Sequence, residues 1–167
     1  MLVKTSRTGL GRRAGHDLTL EVTGWSADVV INTGDPAQSS VTVTLDTGSI
    51  EARHGSGGLK PLTDSDRADI KKTIQEKILH PGTHPEITFR STAVEGSPGE
   101  FTINGDLTIM GKTQPATVHG HVGDDGRIRG DATISHSRWG IKPYSGFGGL
   151  LRVADEVQVQ FDLAGPG

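Results

Sequence analysis

The sequence contains no cysteine among its 167 residues. Disulfide bonds, thiolate ligands for a metal and a cysteine nucleophile are therefore excluded. The sequence also lacks a run of about 18 apolar residues, which a membrane-spanning helix needs. It begins without the apolar segment of about 7–15 residues that marks a secretory signal. We therefore expect a cytoplasmic protein with no membrane span, although a chain from which a signal had been removed would show the same pattern.

Aromatic side chains are also scarce, and neither sign of charge is in large excess. Aromatic residues account for 4% of the sequence and hydrophobic residues for 32%, whereas 24 residues are glycine. Because glycine has no side chain to bury, a shell of strands with glycine-rich corners is easier to build from this composition than a solid core. The formal net charge of −3 shows none of the basic excess that nucleic-acid binders usually have.

The N-terminal residues carry the one local excess of charge. Four basic residues precede Asp17, the first acidic residue: Lys4, Arg7, Arg12 and Arg13. We interpret residues 1–13 as a solvated N-terminal arm, and a site for anionic lipid or phosphate is the alternative. The length suits one domain, which we place at residues 14–164, followed by a short tail at residues 165–167.

Eight stretches of the sequence alternate apolar and polar residues, which is the pattern of half-buried strands. Turn-forming segments such as "EGSPGE" and "GDDGR" separate them, so neighbours in sequence should pair antiparallel. We expect an all-β fold, an eight-stranded antiparallel lipocalin-like barrel, because closure removes the exposed edges of a sheet. The residues whose parity points inward are Leu18, Leu20, Val22, Ala27, Val29, Ile31, Val41, Val43, Leu45, Ile87, Phe89, Ala93, Phe101, Ile103, Leu107, Ile109, Ala116, Val118, Val122, Ile128, Ala132, Ile134, Val157, Val159, Phe161 and Leu163.

One segment has helical rather than strand periodicity. Ile70, Ile74 and Ile78 recur at every fourth position and predict an apolar stripe on a helix from about residue 64 to residue 79. Thr63 and Asp66 resemble a capping box at its start. The segment "HPG" that follows should end it. The barrel is therefore expected to carry one inserted α-helix.

Several histidines raise the alternative of an enzyme. His84 would act as a general base only with a nucleophile or a carboxylate within hydrogen-bond reach, and no spacing in the sequence supplies one. His119 and His121 lie on the strand face opposite to Val118 and Val122, where a metal site would need a third ligand from a neighbouring strand. We interpret these histidines as structural or surface residues, and a small hydrolase or metal-dependent enzyme is the alternative function.

The segment "SRWGIKPYSGFGGLLRVADEV" contains three of the seven aromatic residues. Trp139, Tyr144 and Phe147 lie among glycines, with Leu150 close behind. Rings on a connection that is bent at glycines either plug one end of a barrel or form the lip of a pocket. The sequence leaves both interpretations open.

The order of four motifs resembles the YceI-like family of lipocalin-like polyisoprenoid-binding proteins. The motifs are "HPEITFRSTAVEG", "NGDLTIMGKTQPATV", "SHSRWGI" and "VADEVQVQFDL", and "GHDLTLEV" with His16 fits the family's first strand. The resemblance implies a barrel with a helical insertion and an internal apolar cavity for an amphiphilic long-chain ligand. It implies neither catalytic residues nor a cofactor. The segment from "GGLKP" to "PGTHP" departs from the family, because its helix is longer and polar-faced and contains no aromatic residue.

We therefore expect a non-enzymatic carrier or sequestering protein for a hydrophobic ligand such as a polyisoprenoid, an isoprenoid quinone or a fatty acid. Neither a metal nor nucleic acid is an expected partner, and a homodimer is compatible with the fold. A barrel with a filled interior that binds a partner through its outer face is a second alternative. Candidate wall residues are Leu18, Leu20, Val43, Phe89, Phe101, Leu107 and Phe161; candidate mouth residues are Trp139, Tyr144, Phe147 and Leu150; candidate head-group contacts are Arg53, Lys60, Arg138 and Lys142.

Overall fold

The computed structural model describes residues 1–8, 16–58, 60–146 and 151–164. The strands in these ranges, numbered in chain order, are β1 (Leu2–Lys4), β2 (Arg7–Thr8), β3 (Asp17–Val22), β4 (Trp25–Val30), β5 (Ser40–Asp46), β6 (Ile50–Ser56), β7 (Glu86–Ser97), β8 (Glu100–Ile109), β9 (Lys112–Val122), β10 (Ile128–Ser135), β11 (Ser145–Gly146), β12 (Leu151–Val153) and β13 (Glu156–Leu163). Antiparallel pairing joins ten of these described strands in the order β4-β5-β7-β8-β9-β10-β13-β1-β3-β6. The short strands β11, β12 and β2 form a small separate sheet.

Two long bent strands close the main sheet into a barrel. β3 continues into β4 through Thr23 and Gly24, and β5 continues into β6 through a 3-10 turn at Thr47–Ser49. Since β3 pairs with β6 and β4 pairs with β5, the two long strands form one bent hairpin. One arm of the hairpin joins the sheet by pairing of β5 with β7, and the other by pairing of β3 with β1. Counted as continuous strands, the described residues thus form the eight-stranded antiparallel barrel that the sequence predicts.

The members of the barrel differ from the eight stretches found in the sequence. β3 and β4, which the sequence pattern separates, are parts of one strand, whereas β1 and β6 are absent from the predicted set. β1 lies between β13 and β3, so Leu2–Lys4 belong to the barrel and not to a solvated arm. Three residues are too few for alternation to be recognised, and only the neighbours of β1 in the fold identify it. Residues 9–13 of the expected arm lie outside the described residues.

The inserted helix has the predicted boundaries and cap. Helix α1 (Asp64–Thr73) begins with a capping box, in which Thr63 Oγ1 accepts from the Asp66 N–H at 3.1 Å and Asp66 Oδ2 accepts from the Thr63 N–H at 2.8 Å. The hydrogen bond from the Thr63 N–H, together with one from the Thr63 side chain, lowers the pKa of the Asp66 carboxyl. The helix continues as a π-helical segment (Ile74–Leu79), and the His80 N–H closes it on the Gln75 carbonyl oxygen at 3.0 Å. No helix in the described ranges is long and apolar enough to cross a membrane.

Tightly packed side chains occupy the part of the barrel beside the helix. α1 lies against β6. The π-helical segment that follows it buries Ile74 and Leu79 against strand residues of the bent hairpin and of β7, β8 and β10. This packed core consists of Leu20, Val22, Ile50, Ala52, Ile74, Leu79, Ile87, Ile109, Ala132, Ile134 and Trp139. The bend of the hairpin is fixed by Thr47, whose hydroxyl donates to the His84 carbonyl oxygen at 2.7 Å. The helix therefore covers one side of the barrel and leaves the rest of the interior to the inward side chains.

Candidate functional site

The interior of the barrel contains a large apolar cavity. Its volume is about 1290 Å³, which exceeds the roughly 300–1,000 Å³ of a typical ligand pocket. The wall consists mainly of valine, leucine, isoleucine and phenylalanine side chains from the strands, together with Ile70, Ile74 and Ile78 of the helix. The interior is therefore hollow, unlike the filled barrel of the second alternative.

The predicted wall residues all line this cavity. They come from five strands of the barrel and reach it because alternate side chains of a strand point to the same face: Leu18, Leu20, Val43, Phe89, Phe101, Leu107 and Phe161. One inward assignment is wrong. The pairing of β7 with β8 shifts between Ser91 and Ala93, and this bulge moves the inward position from Ala93 to Val94, which lines the cavity.

Three glycines at inward positions shape the wall, and the sequence reasoning missed them. A Cβ atom added to Gly105, Gly120 or Gly130 would lie 2.5, 2.6 or 2.4 Å from Cζ of a phenylalanine ring on a neighbouring strand. The three rings belong to Phe89, Phe101 and Phe161, respectively. Each ring thus lies over a glycine of a neighbouring strand, where no side chain is in the way. The signal was present in the sequence, since each glycine has the parity of inward residues on its own strand.

The two ends of the cavity differ in chemistry. At the end where β10 ends and β13 begins, which we call the lysine end, the lining includes polar and charged residues: His16, Lys60, Asp66, Asp69, Lys142 and Tyr144. At the opposite end, which we call the turn end, the cavity reaches residues 31–33 and 94–98. There Val29, Val30 and Ile31 both line the cavity and are about half exposed to solvent. One opening therefore has two lysines within reach, whereas the other combines polar residues, among them Glu95, with an exposed aliphatic rim.

The predicted mouth residues that the structure describes lie in different environments. Trp139 is only 3% exposed and belongs to the packed core, where its Nε1–H donates to the Leu107 carbonyl oxygen at 2.8 Å. It does not line the cavity, so its prediction as a mouth residue is wrong and the plug interpretation holds for this ring. Tyr144 is 42% exposed and lines the lysine end. Phe147 and Leu150 lie outside the described residues.

The four candidate head-group contacts also divide into two pairs. Lys60 and Lys142 line the lysine end of the cavity. Arg53 instead forms an ion pair with Glu21 and is not part of the cavity wall. Arg138 lies 5.5 Å from the centroid of the Trp139 ring and is likewise absent from the wall. The structure therefore leaves two lysines as cations that a ligand in the cavity can reach.

The histidines of the enzyme alternative lie at the start of β7 and on the outer face of β9. His84 sets the start of β7 through its backbone, since its N–H donates to the His80 carbonyl oxygen at 2.9 Å. His119 and His121 are exposed on the outer face, and His119 Nδ1 lies 3.3 Å from Thr102 Oγ1. Within the described residues there is no group of three or more side chains that could hold a metal ion.

His136 is a cavity-lining histidine that the sequence reasoning did not single out. Its Nε2 is buried, has no hydrogen-bond partner among the described residues, and lies 3.6 Å from Asp155 Oδ1. Burial lowers the pKa of His136, and the nearby Asp155 charge opposes that shift. The Asp155 carboxylate accepts from the Ser137 hydroxyl at 2.6 Å and from its N–H at 2.8 Å, and these bonds lower the pKa of Asp155.

Comparison with known sequences identifies the family of this chain. A family model described as a YceI-like domain matches residues 3–164. A UPF0312 protein of Shewanella oneidensis is 29% identical over 71% of this chain and 61% of its own length. The protein YceI of Escherichia coli O6:H1 is 33% identical over 54% of this chain and 43% of its own length. The chain thus spans less than two thirds of the length of these curated relatives.

Solved structures with a similar fold include two bacterial proteins. BcnA of Burkholderia cenocepacia superimposes with a TM-score of 0.69 at 24% identity, covering 96% of this chain and 94% of that chain. A YceI protein of Campylobacter jejuni gives a TM-score of 0.63 at 15% identity, covering 86% of this chain and 81% of that chain. At these identities the likeness concerns the fold.

Proposed function

Since the chain belongs to the YceI-like family, we propose that it is a non-enzymatic protein that binds a hydrophobic long-chain amphiphile inside its barrel and carries or sequesters it. The observation that supports this proposal most directly is the apolar cavity of about 1290 Å³. Suitable ligands are a polyisoprenoid, an isoprenoid quinone or a fatty acid, because each has a long apolar chain and a single polar end.

The apolar wall can supply enough free energy for tight binding. Burial of apolar surface contributes about 25 cal/mol per Å², so a chain that buries about 300 Å² gains roughly 7–8 kcal/mol. Immobilising the ligand and its flexible chain costs several kcal/mol of this gain. Longer chains that use more of the wall should therefore bind more tightly until the cavity is filled.

We place the head group of the ligand at the lysine end of the cavity. Lys60 and Lys142 can approach a carboxylate or phosphate there, while Asp66 and Asp69 line the same region and disfavour an anion close to the helix. Tyr144 offers a hydroxyl at this end. An anionic head group between the lysines leaves the chain to extend along the lumen toward the turn end.

Native mass spectrometry and lipid extraction of the purified protein test this proposal. We expect a co-purifying long-chain lipid, or uptake of fatty acids and prenyl compounds by the delipidated protein. Val43→Trp should fill part of the lumen and weaken uptake at least tenfold. Thr44→Trp, at the next position of β5 on the opposite face, is the matched control and should leave uptake unchanged.

The outcome that contradicts the proposal is recovery of solvent alone together with no uptake of any long-chain compound. Unchanged uptake by Val43→Trp would also contradict it, because the ligand would then lie outside the barrel. His84→Ala should bind the ligand as the unmodified chain does, in keeping with a protein that is not an enzyme. A cytoplasmic location belongs to the same proposal, and cell fractionation tests it.

A further inference from the structure

Two phenylalanines and two glycines form a continuous row across four neighbouring strands of the barrel. Phe101 of β8 pairs with Gly120 of β9, Gly120 pairs with Gly130 of β10, and Gly130 pairs with Phe161 of β13. We call these four residues the ring row. Both phenylalanines line the cavity and are only partly buried, so their rings contact the empty lumen.

The glycines allow the rings to lie down on the wall. Cζ of Phe101 is 2.6 Å from the place of a Gly120 Cβ, and Cζ of Phe161 is 2.4 Å from the place of a Gly130 Cβ. Real Cβ atoms do not approach this closely, so any larger residue at either glycine would push a ring toward the lumen. It would also crowd a backbone carbonyl oxygen, that of Arg129 at 2.9 Å for Gly120 and that of His119 at 2.5 Å for Gly130. Because both rings extend over the two glycines from opposite sides, they cover this part of the wall with two aromatic faces.

The ring row lies deep in the lumen as seen from the lysine end. Two residues beyond the row, Ile128 pairs with Val122 on one side and with Leu163 on the other. These three side chains form the last inward layer at the turn end. Lys60 and Lys142 lie at the opposite end of the barrel, the lysine end, where β10 ends and β13 begins. A chain whose head group is held by the lysines therefore reaches the ring row with its far end.

We propose that the ring row sets the width of the lumen near the turn end and thereby limits how far a ligand chain extends along it. This inference rests on the proposed function, because it requires a chain that enters with its head group at the lysine end. The rings define how much of the lumen remains open at the depth where the chain ends. Smaller side chains at Phe101 and Phe161 lengthen the usable lumen, and a Cβ at Gly120 shortens it.

A homologous series of straight-chain fatty acids measures this length directly. For the unmodified protein, the dissociation constant should fall by about fourfold for each added methylene group and then level off at one chain length. Phe101→Ala and Phe161→Ala should move this plateau to longer chains. Gly120→Ala should move it to shorter chains, and the double substitution Gly120→Ala with Phe101→Ala should reverse the part of that shortening that the displaced ring causes, leaving only the contact with the Arg129 carbonyl oxygen.

Two controls separate the length effect from general changes in the barrel. Phe89→Ala also removes a ring that lies over a glycine, but Phe89 pairs with Val43 and Leu107 nearer to the middle of the wall. It should change the affinity for all chains by a similar factor and leave the plateau in place. Gly82→Ala adds a Cβ that meets no atom within 4 Å and should change nothing.

The milder substitutions Phe101→Leu and Phe161→Leu keep the test decisive if an alanine variant does not fold. They should shift the plateau in the same direction by a smaller amount, because leucine is too short to cover the neighbouring glycine. If the unmodified protein binds no chain of any length, the proposed function fails. If it binds chains and the plateau stays at the same length in all ring-row variants, this inference alone fails.

Discussion

Trp139 and Phe161 are both aromatic residues of the barrel, but they occupy regions that are built in different ways. Trp139 is 3% exposed in the packed core and donates a hydrogen bond to Leu107. Phe161 lies over Gly130 and is partly open to the lumen. The same kind of side chain fills space in one region and borders empty space in the other. Trp139 therefore contributes to packing outside the lumen, whereas Phe161 is part of the cavity wall.

The aliphatic residues show the same difference. Ile74 and Leu79 of the helical segment are buried against the strands, whereas Val29, Val30 and Ile31 at the turn end remain about half exposed. A helix packs against β6 in the first region, but β4 has a hydrogen-bonded partner on one side only among the described strands. A hollow barrel of this kind can thus be stable only if the packed core supplies most of the burial.

The largest expected effect is the loss of stability in Trp139→Ala. Removing a buried indole and leaving the Leu107 carbonyl oxygen without its donor should lower the free energy of unfolding by about 3–5 kcal/mol. Phe161→Ala should cost clearly less, because the ring already borders empty space. Urea unfolding followed by circular dichroism measures both. Equal losses for the two substitutions would show that the two regions are packed alike.

A smaller difference in the free energy of unfolding is expected between substitutions in the helical segment and at the exposed rim of the turn end. Ile74→Ala should lower the free energy of unfolding by about 2–4 kcal/mol, because it removes a buried side chain that packs against the strand residues of the core. Val30, which is 60% exposed at the turn end, should tolerate alanine with a change within about 0.5 kcal/mol. The same urea titration compares them. A large loss for Val30→Ala would mean that the rim is covered in solution.

The smallest expected effect is a pH dependence at His136, between the two regions. Its pKa is lowered from 6.5 by burial, so the folded state favours the neutral ring. The stability that this group contributes is present above about pH 6.5 and is lost as the pH falls below that value. His136→Phe should flatten the dependence of the unfolding free energy on pH below about 6.5.

The carboxylates whose pKa values are lowered lose their contributions outside this window. Asp155, which faces His136, has its pKa lowered below 3.8, as have Asp66, Asp125 and Asp162. Their contributions are lost only at still lower pH. An unchanged slope in His136→Phe would therefore assign the pH dependence to groups other than this imidazole.

Local patterns predicted much of the fold and of the cavity wall. The capping box at Thr63 and the helix boundaries follow from neighbouring residues alone, and both are confirmed. The resemblance to the YceI-like family is confirmed by the match to residues 3–164. Parity predicted Phe89 and Phe101 on the cavity wall because strand alternation depends only on sequence spacing.

Other features depend on contacts between residues that are far apart in sequence. β1 becomes a strand because β13 and β3 pair with it on both sides. Trp139 follows a strand on a glycine-containing connection, where the sequence allows a plug or a lip, and its contact with Leu107 makes it part of the core. The bulge at Ser91 moves the inward position to Val94, and no local pattern marks that residue.

The sequence by itself determined that alternating strands and one capped helix would form, and which faces of the strands would be apolar. These properties depend on spacing and on local hydrogen bonds. Only the tertiary structure decided that the bent hairpin closes the barrel and that the packed core lies on one side. It also decided that Phe101 and Phe161 lie down over Gly120 and Gly130. The reason is that empty space inside a protein depends on the distances between side chains of different strands, which strand pairing fixes and sequence spacing does not.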